Sequence, residues 1–261
     1  MTLTRRLFTA LTCTAALTIG AGPVQAQEPP VIAAASDLRF AVEEIAAAFT
    51  AETGHDVRLT FGSTGNFARQ IREGAPFEMF MAADEAFVLD LARDGLLQGE
   101  GVLYAEGRIA IAIPKTGSTL AADGTLEDLR RAVAEGRVTR FAIANPEHAP
   151  YGMRAKEALE HLGLWTAIEP ALIMGENVSQ AAQFALSGST DGGIIAWSLA
   201  LSPELQAQGS FALIPAEWHE PLLQRMALVE GAGPVAEAFY VYMQEPAARE
   251  VMTRYGFGLP E

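Results

Sequence analysis

Four short stretches of the sequence combine small polar residues, glycines and prolines in a pattern typical of a turn between a strand and a helix. They are AAASDL (33–38), GSTG (62–65), NPEHAPYGM (145–153) and GENVSQAA (175–182). The first N–H groups of a helix have no partner within the helix, and the helix dipole adds partial positive charge there. Such turns can bind an anion. The same residues are also ordinary helix caps, and the pattern alone does not decide between the two.

Two of the turns contain a good helix cap, and a third is rich in glycine. Ser36 stands between an apolar strand and a helix, and Asn177 directly precedes the helix that begins at Val178. In GSTG, which contains Gly62 and Gly65, one glycine permits a tight turn and a second permits a ligand to approach the backbone closely. No lysine follows GSTG, so the stretch is not a phosphate-binding P-loop.

The residues typical of catalysis form no strong motif. Glu147 and His148 are neighbours and could act as an acid–base pair, but no nucleophile motif such as GxSxG accompanies them. Trp197 follows a strand, and we expect it in the core rather than in a cleft. The histidines show no metal-ligand spacing; they are His55, His148, His161 and His219.

The elements that must position these turns alternate between strand and helix, which predicts an α/β fold with parallel or mixed sheets covered on both faces. Eight strands are predicted from short apolar runs. They are VIAAA (31–35), VRLTF (57–61), MFMAA (79–83), GRIAIAIP (107–114), RFAIA (140–144), GGIIA (192–196), FALIP (211–215) and RMALVE (225–230).

The length predicts two lobes with a ligand cleft between them, because about 235 mature residues exceed the usual single-core domain. We expect the chain to cross between lobes near residues 105–108 and 210–216. Lobe 1 would then contain residues 27–107 and 215–261, and lobe 2 residues 108–214. Ligands of open α/β sheets lie beyond the carboxyl ends of strands, where the four turns are predicted.

The first 26 residues have the composition of an export signal. Arg5 and Arg6 precede the apolar run LFTALTCTAALTIG, and the small residues Val24 and Ala26 stand where a signal peptidase cleaves. The arginine pair in TRRLF also resembles a twin-arginine export signal. We expect cleavage after Ala26, export to the periplasm, and loss of Cys13, the only cysteine of the chain.

The predicted mature chain is strongly acidic. Cleavage removes two of the 18 Lys and Arg residues and none of the 32 Asp and Glu residues, so the formal net charge changes from −14 to −16. A surface of that charge repels nucleic acid. Without cysteine, the mature chain has no disulfide or zinc–thiolate chemistry. An anionic ligand would have to be held by local donors against the net charge.

Several motifs, in this order, resemble the periplasmic molybdate-binding proteins of molybdate ABC importers, which are type II periplasmic solute-binding proteins. The likeness runs from about residue 33 to residue 257. It is carried by AAASDL, FGSTGNFARQIREGAPFEMFMAAD, ANPEHAPYGMRAKEALEHLGLW, GENVSQAAQFAL, GIIAWS and RYGF. The resemblance implies a two-lobe α/β binding protein with mixed sheets flanked by helices. It implies neither enzymatic activity nor a cofactor.

The resemblance also implies a set of ligand contacts. Members of the family hold the molybdate or tungstate dianion by neutral hydrogen-bond donors, and no side chain ligates the metal. In this sequence Ser36 would contribute a hydroxyl and an amide, and Thr64 aligns with a ligand serine, with Ser63 beside it. Tyr151 and Val178 would contribute backbone N–H groups. The implied partners are the oxyanion and the permease subunits of an ABC importer, and the implied state is a monomer.

One position departs from the family. Some members carry a tyrosine whose hydroxyl reaches the anion, where this sequence has Ala196 followed by Trp197. The sequence leaves open the choice between molybdate and tungstate, and a different tetrahedral oxyanion such as sulfate is an alternative. An exported hydrolase that uses Glu147 and His148 is the alternative from another class.

Overall fold

The computed structural model describes residues 28–260, and the predicted signal segment, with Cys13 and its two arginines, lies outside them. Ten strands are present in the described part of the chain. In order they are Val31–Ala35 (β1), Arg58–Gly62 (β2), Met79–Ala82 (β3), Val102–Gly107 (β4), Ile109–Pro114 (β5), Phe141–Ala144 (β6), Leu172–Gly175 (β7), Gly192–Ala196 (β8), Gly209–Leu213 (β9) and Leu222–Leu228 (β10).

The strands form two five-stranded mixed sheets, which confirms the predicted fold class. The first sheet has the order β2-β1-β3-β10-β4, with β1 parallel to β2 and β3, and β10 antiparallel to β3 and β4. The second has the order β7-β6-β8-β5-β9, with β6 parallel to β7 and β8, and β5 antiparallel to β8 and β9. Strands β4 and β7 were absent from the sequence prediction.

Helices flank both sheets. None of those in residues 28–260 combines the length and the apolar character that a bilayer span requires. Short 3-10 turns also occur at Ser36–Leu38, Glu169–Ala171 and Ala216–Trp218. The α-helices are Arg39–Thr53 (α1), Thr64–Arg72 (α2), Glu85–Arg93 (α3), Glu127–Ala134 (α4), Pro150–His161 (α5), Trp165–Ile168 (α6), Val178–Leu186 (α7), Trp197–Ala200 (α8), Pro203–Gln206 (α9), Pro234–Tyr242 (α10) and Pro246–Arg254 (α11).

The first strand and helix show how the sequence produces these elements. Strand β1 is a continuous apolar run because helices cover both faces of its sheet, and four of its five residues are buried. Helix α1 buries one face and ends where Gly54 adopts the left-handed φ of 74° and donates its N–H to the Thr50 carbonyl at 2.9 Å. The buried face consists of Ala41, Val42, Ile45, Ala46 and Phe49.

Within the described residues, the chain passes from one sheet to the other at two places. Only Arg108 separates β4 of the first sheet from β5 of the second, and the segment between Leu213 and Leu222 leads back from β9 to β10. Beside the second crossing, the Ile214 N–H donates to the Ile109 carbonyl at 3.1 Å, so the two connections lie side by side. The residue-by-residue boundaries given above for the two lobes stay a prediction.

Candidate functional site

One small cavity lies where the four strand-to-helix turns meet. The turns after β1 and β2 line it from the first sheet, and those after β6 and β7 from the second. The structure thus brings together all five residues expected to contact a ligand. None of the lining residues is Lys, Arg or His; they are Ala35, Ser36, Asp37, Gly62, Ser63, Thr64, Ala83, Ala149, Pro150, Tyr151, Asn177 and Val178.

The backbone at these helix starts supplies unpaired donors. Among the hydrogen bonds of residues 28–260, none has the N–H of Ser36, Thr64, Tyr151 or Val178 as its donor. Each of these residues is at most 3 % exposed. A buried donor without a partner costs roughly 1–3 kcal/mol, and native proteins pair nearly all of them. Four such groups from both sheets around one cavity indicate a ligand that accepts hydrogen bonds.

The Thr64 hydroxyl is held so that its proton is available. Its oxygen accepts the N–H of Ala83 at 3.0 Å, and the residue is 1 % exposed. A hydroxyl has one proton to donate besides its acceptor lone pairs. That proton has no acceptor among the hydrogen bonds found in residues 28–260. The contact with Ala83 therefore orients the hydroxyl and leaves it free to donate to a ligand.

Ser36 does not cap its own helix, so the interpretation of this residue as an ordinary helix cap is wrong. Ala35 occupies the N-cap position without a side-chain bond, and Ser36 is the first residue of a 3-10 turn. Its Oγ accepts the Ser179 N–H at 3.3 Å, and its carbonyl accepts the Ser179 hydroxyl at 2.8 Å. Asn177 does cap α7, as predicted, and accepts the Gln180 N–H at 3.0 Å. Ser36 instead joins the first turn of α7 to the opposite lobe.

Ser63 closes the cleft toward His148. Its hydroxyl donates to the His148 carbonyl at 2.6 Å and lies 2.8 Å from the Nδ1 atom of the same residue. The Gly65 N–H donates to that carbonyl as well, at 3.0 Å. The hydroxyl proton of Ser63 is already donated to His148 of the other lobe. A contact from Ser63 to a ligand would therefore come from its backbone.

The contact between Ser63 and His148 gives little support to the hydrolase alternative. Ser63 and His148 lie at the distance of a nucleophile and its base, but the hydroxyl proton points to the His148 carbonyl rather than to its ring. The nearest orienting carboxylate, of Glu176, is 3.8 Å from Nε2, which is too long for a hydrogen bond. Glu147 is exposed, and its N–H donates to Asn145 Oδ1, which stiffens the turn.

A buried polar network, which the sequence pattern does not predict, lies beside the cavity. Asp37 Oδ2 accepts the Tyr151 hydroxyl at 3.0 Å and the Gln224 amide at 2.7 Å. The Tyr104 hydroxyl donates to Gln224 Oε1 at 2.9 Å. Because Tyr151 belongs to α5 of the second lobe, its hydroxyl ties the two lobes together near the crossing at Arg108. The position of Asp37 directly after Ser36 was the available signal.

Burial sets the proton affinities in this network. It raises the pKa of Asp37 to about 6, although hydrogen bonds from Gln224 and Tyr151 act in the opposite direction. Burial also raises the pKa of both tyrosines well above 10, and the nearby Asp37 charge adds to the effect. Tyr104 and Tyr151 therefore stay neutral in the physiological range, and Asp37 is the group in the network that titrates there.

The position of the missing family tyrosine contributes no side-chain hydroxyl. Ala196 is fully buried and precedes α8, and the Trp197 N–H donates to the Arg108 carbonyl at 2.9 Å. The Trp197 ring is partly buried and packs beside Gly256 against the core, as predicted, and it does not line the cavity.

An ion pair also joins the lobes. Arg154 of α5 donates to Asp84 Oδ2 at 2.9 Å and also contacts Glu157, and its side chain is only 11 % exposed. Asp84 caps α3 as well, where it accepts the Ala86 N–H at 2.9 Å. The charge of Arg154 is thus paired with carboxylates outside the cavity. Residues 28–260 contain no cluster of three or more His, Cys, Asp or Glu side chains arranged to hold a metal ion.

Two α/β lobes that both present donors to one cavity between them define the class of the molecule as a solute-binding protein. The chain belongs to the family described as bacterial extracellular solute-binding protein, whose model matches residues 30–258.

Curated relatives match over most of their length. The molybdate-binding protein ModA of Rhodobacter capsulatus is 32 % identical over 245 residues, which cover 93 % of each chain. ModA of Azotobacter vinelandii is 34 % identical over 231 residues, 87 % of this chain and 89 % of that one. The solved periplasmic molybdate-binding protein of A. vinelandii superposes with a TM-score of 0.78 and 28 % identity, covering 90 % of this chain and 100 % of that one.

Proposed function

We propose that the chain captures molybdate or tungstate in the periplasm and delivers it to an ABC importer. The observation that carries the proposal is the set of unpaired, buried N–H groups of Ser36, Thr64, Tyr151 and Val178 around one cavity. The names of the relatives support the choice of oxyanion. We also propose that the chain acts by binding alone, as a monomer and without a cofactor.

The chemistry of the donors suits a tetrahedral dianion. All four oxygens of such an ion only accept hydrogen bonds, and its desolvation is offset only by a closed set of donors. Helix starts supply amide donors and partial positive charge without a cationic side chain. A rigid ring of amides also selects by size, because a smaller oxyanion such as sulfate would make longer and weaker bonds.

Thermal unfolding tests the proposal on the wild-type mature chain. At 100 times its Kd, a ligand that binds only the folded state adds about 2.7 kcal/mol to the free energy of unfolding. For a protein of this size we expect molybdate and tungstate to raise the Tm by roughly 5–11 °C. Sulfate and phosphate at the same concentration are the matched controls. A shift with sulfate alone would favour the sulfate alternative, and no shift with any of the four would overturn oxyanion capture.

A further inference from the structure

Asp37 is the one charged residue among the twelve that line the cavity, and it is 2 % exposed. It lies in the same 3-10 turn as Ser36. Its two carboxyl oxygens differ, because Oδ2 accepts hydrogen bonds from Tyr151 and Gln224 whereas Oδ1 has no partner among residues 28–260.

We propose that Asp37 takes up a proton when the oxyanion enters the cavity, so that this chain captures its ligand together with one proton. The inference rests on the proposed function and deepens it, since it assigns a residue that sets the protonation state of the complex. An ionised Asp37 would place a third negative charge beside a dianion in an enclosed space. Interactions between charges are strong there because little solvent screens them.

Among residues 28–260, the surroundings of Asp37 offer no compensating cation. Helix α5 presents Tyr151 to it, strand β4 presents Tyr104 through Gln224 of β10, and α8 presents Ser198, whose hydroxyl donates to the Asp37 carbonyl at 2.8 Å. Of these groups only the two tyrosines titrate, and both stay neutral below pH 10. Uptake of a proton by Asp37 itself is therefore the available way to remove the repulsion.

The hydrogen bonds also decide where the proton resides. Tyr151 and Gln224 both donate to Oδ2, which fixes the orientation of the carboxyl and leaves Oδ1 as the oxygen that can be protonated. A protonated Oδ1 becomes a further neutral donor, like the backbone groups around the cavity. The carboxyl thus changes from a repelling charge into a donor.

Burial already prepares Asp37 for this change, because it raises the pKa of the carboxyl to about 6. Below that pH the carboxyl is protonated before the anion arrives. Above it each binding event must first supply a proton, so the affinity should fall about tenfold for each further pH unit.

Calorimetric titration of the wild-type chain with micromolar sodium molybdate at pH 7.5 measures the proton directly. The experiment is repeated in two buffers of different ionisation enthalpy, and the difference in binding heat gives the number of protons exchanged. We expect uptake of about one proton per bound anion. Binding without proton uptake would overturn the role of Asp37 and leave the proposed function standing.

The variant Asp37→Asn supplies an independent test, because asparagine keeps the acceptor oxygen but cannot ionise. For the wild type we expect the Kd to rise roughly 25-fold between pH 5.5 and pH 7.5, and for Asp37→Asn we expect little change. The variant also controls for titration of the anion itself. An equal pH dependence in both chains would contradict the proposal, whereas failure of the wild type to bind at either pH would overturn the proposed function.

Discussion

Replacement of Gly65 by alanine is expected to weaken oxyanion binding on the order of 100-fold. A Cβ atom at this position would lie 2.7 Å from the His148 carbonyl oxygen and 3.1 Å from the Cα and Cβ atoms of the same residue. The added methyl would push the two lobes apart, at a cost of about 1–3 kcal/mol for overpacking. It would also break the 3.0 Å hydrogen bond from the Gly65 N–H, which is worth about 1 kcal/mol.

The Gly65 variant should lose affinity without losing its fold, because the three nearest atoms to the new methyl all belong to His148 in the other lobe. Calorimetric titration with molybdate measures the loss, and the Tm of the ligand-free variant serves as its control. A variant that binds as tightly as the wild type would show that this close approach plays no part in holding the ligand.

Replacement of Thr64 by alanine removes a side-chain hydroxyl of the cavity whose proton is free to donate. A hydrogen bond to a charged ligand contributes roughly 1.5–3 kcal/mol, so we expect the Kd for molybdate to rise about 10- to 150-fold. The change also deprives the Ala83 N–H of its acceptor, which should lower the free energy of unfolding of the ligand-free chain by about 1–3 kcal/mol.

The variant Thr64→Ser is the matched control for this prediction. It keeps the hydroxyl, and with it the bond to Ala83, and removes only the methyl group that restricts the rotamer. We expect its affinity to stay close to that of the wild type in the same titration. An unchanged affinity in Thr64→Ala would exclude the hydroxyl from the site, and an equal loss in both variants would assign the effect to packing.

The arrangement of the four turns was predictable because it follows from topology. The carboxyl ends of parallel strands lie at one edge of a sheet, so the turns containing Ser36 and Thr64 are neighbours in the first sheet. Tyr151 and Val178 are neighbours in the second sheet for the same reason. The resemblance to molybdate-binding proteins then indicated which residue in each turn to choose. Their contact with a ligand stays a prediction.

Strands β4 and β7 were not predicted, because their local sequences lack a clear strand pattern. Strand β4, VLYAEG, contains Glu106 and ends in Gly107, so neither a continuous apolar run nor a clear alternation marks it. Strand β7, LIMG, has only four residues and follows a proline-containing 3-10 turn. Both are edge strands of their sheets. Their formation depends on pairing with the neighbouring strand more than on the hydrophobic pattern of their own sequence.

The role of Asp37 could not be derived from the sequence, because it depends on distant residues. Its partner Gln224 is 187 positions away in the chain, and Tyr151 is 114 positions away. Locally, an aspartate after Ser36 is typical of the first turn of a helix, where it is normally exposed. Only the tertiary structure shows that the carboxyl is enclosed and that one of its oxygens has no partner.

Equilibrium dialysis of the purified mature chain against micromolar sodium molybdate at pH 6 tests the central claim most directly. Elemental analysis then gives the molybdenum retained per chain. We predict one molybdenum per chain, displaced by tungstate but not by an equal concentration of sulfate, and strongly reduced in Thr64→Ala. Molybdenum no higher inside the dialysis chamber than outside would contradict the claim that this cavity binds the oxyanion.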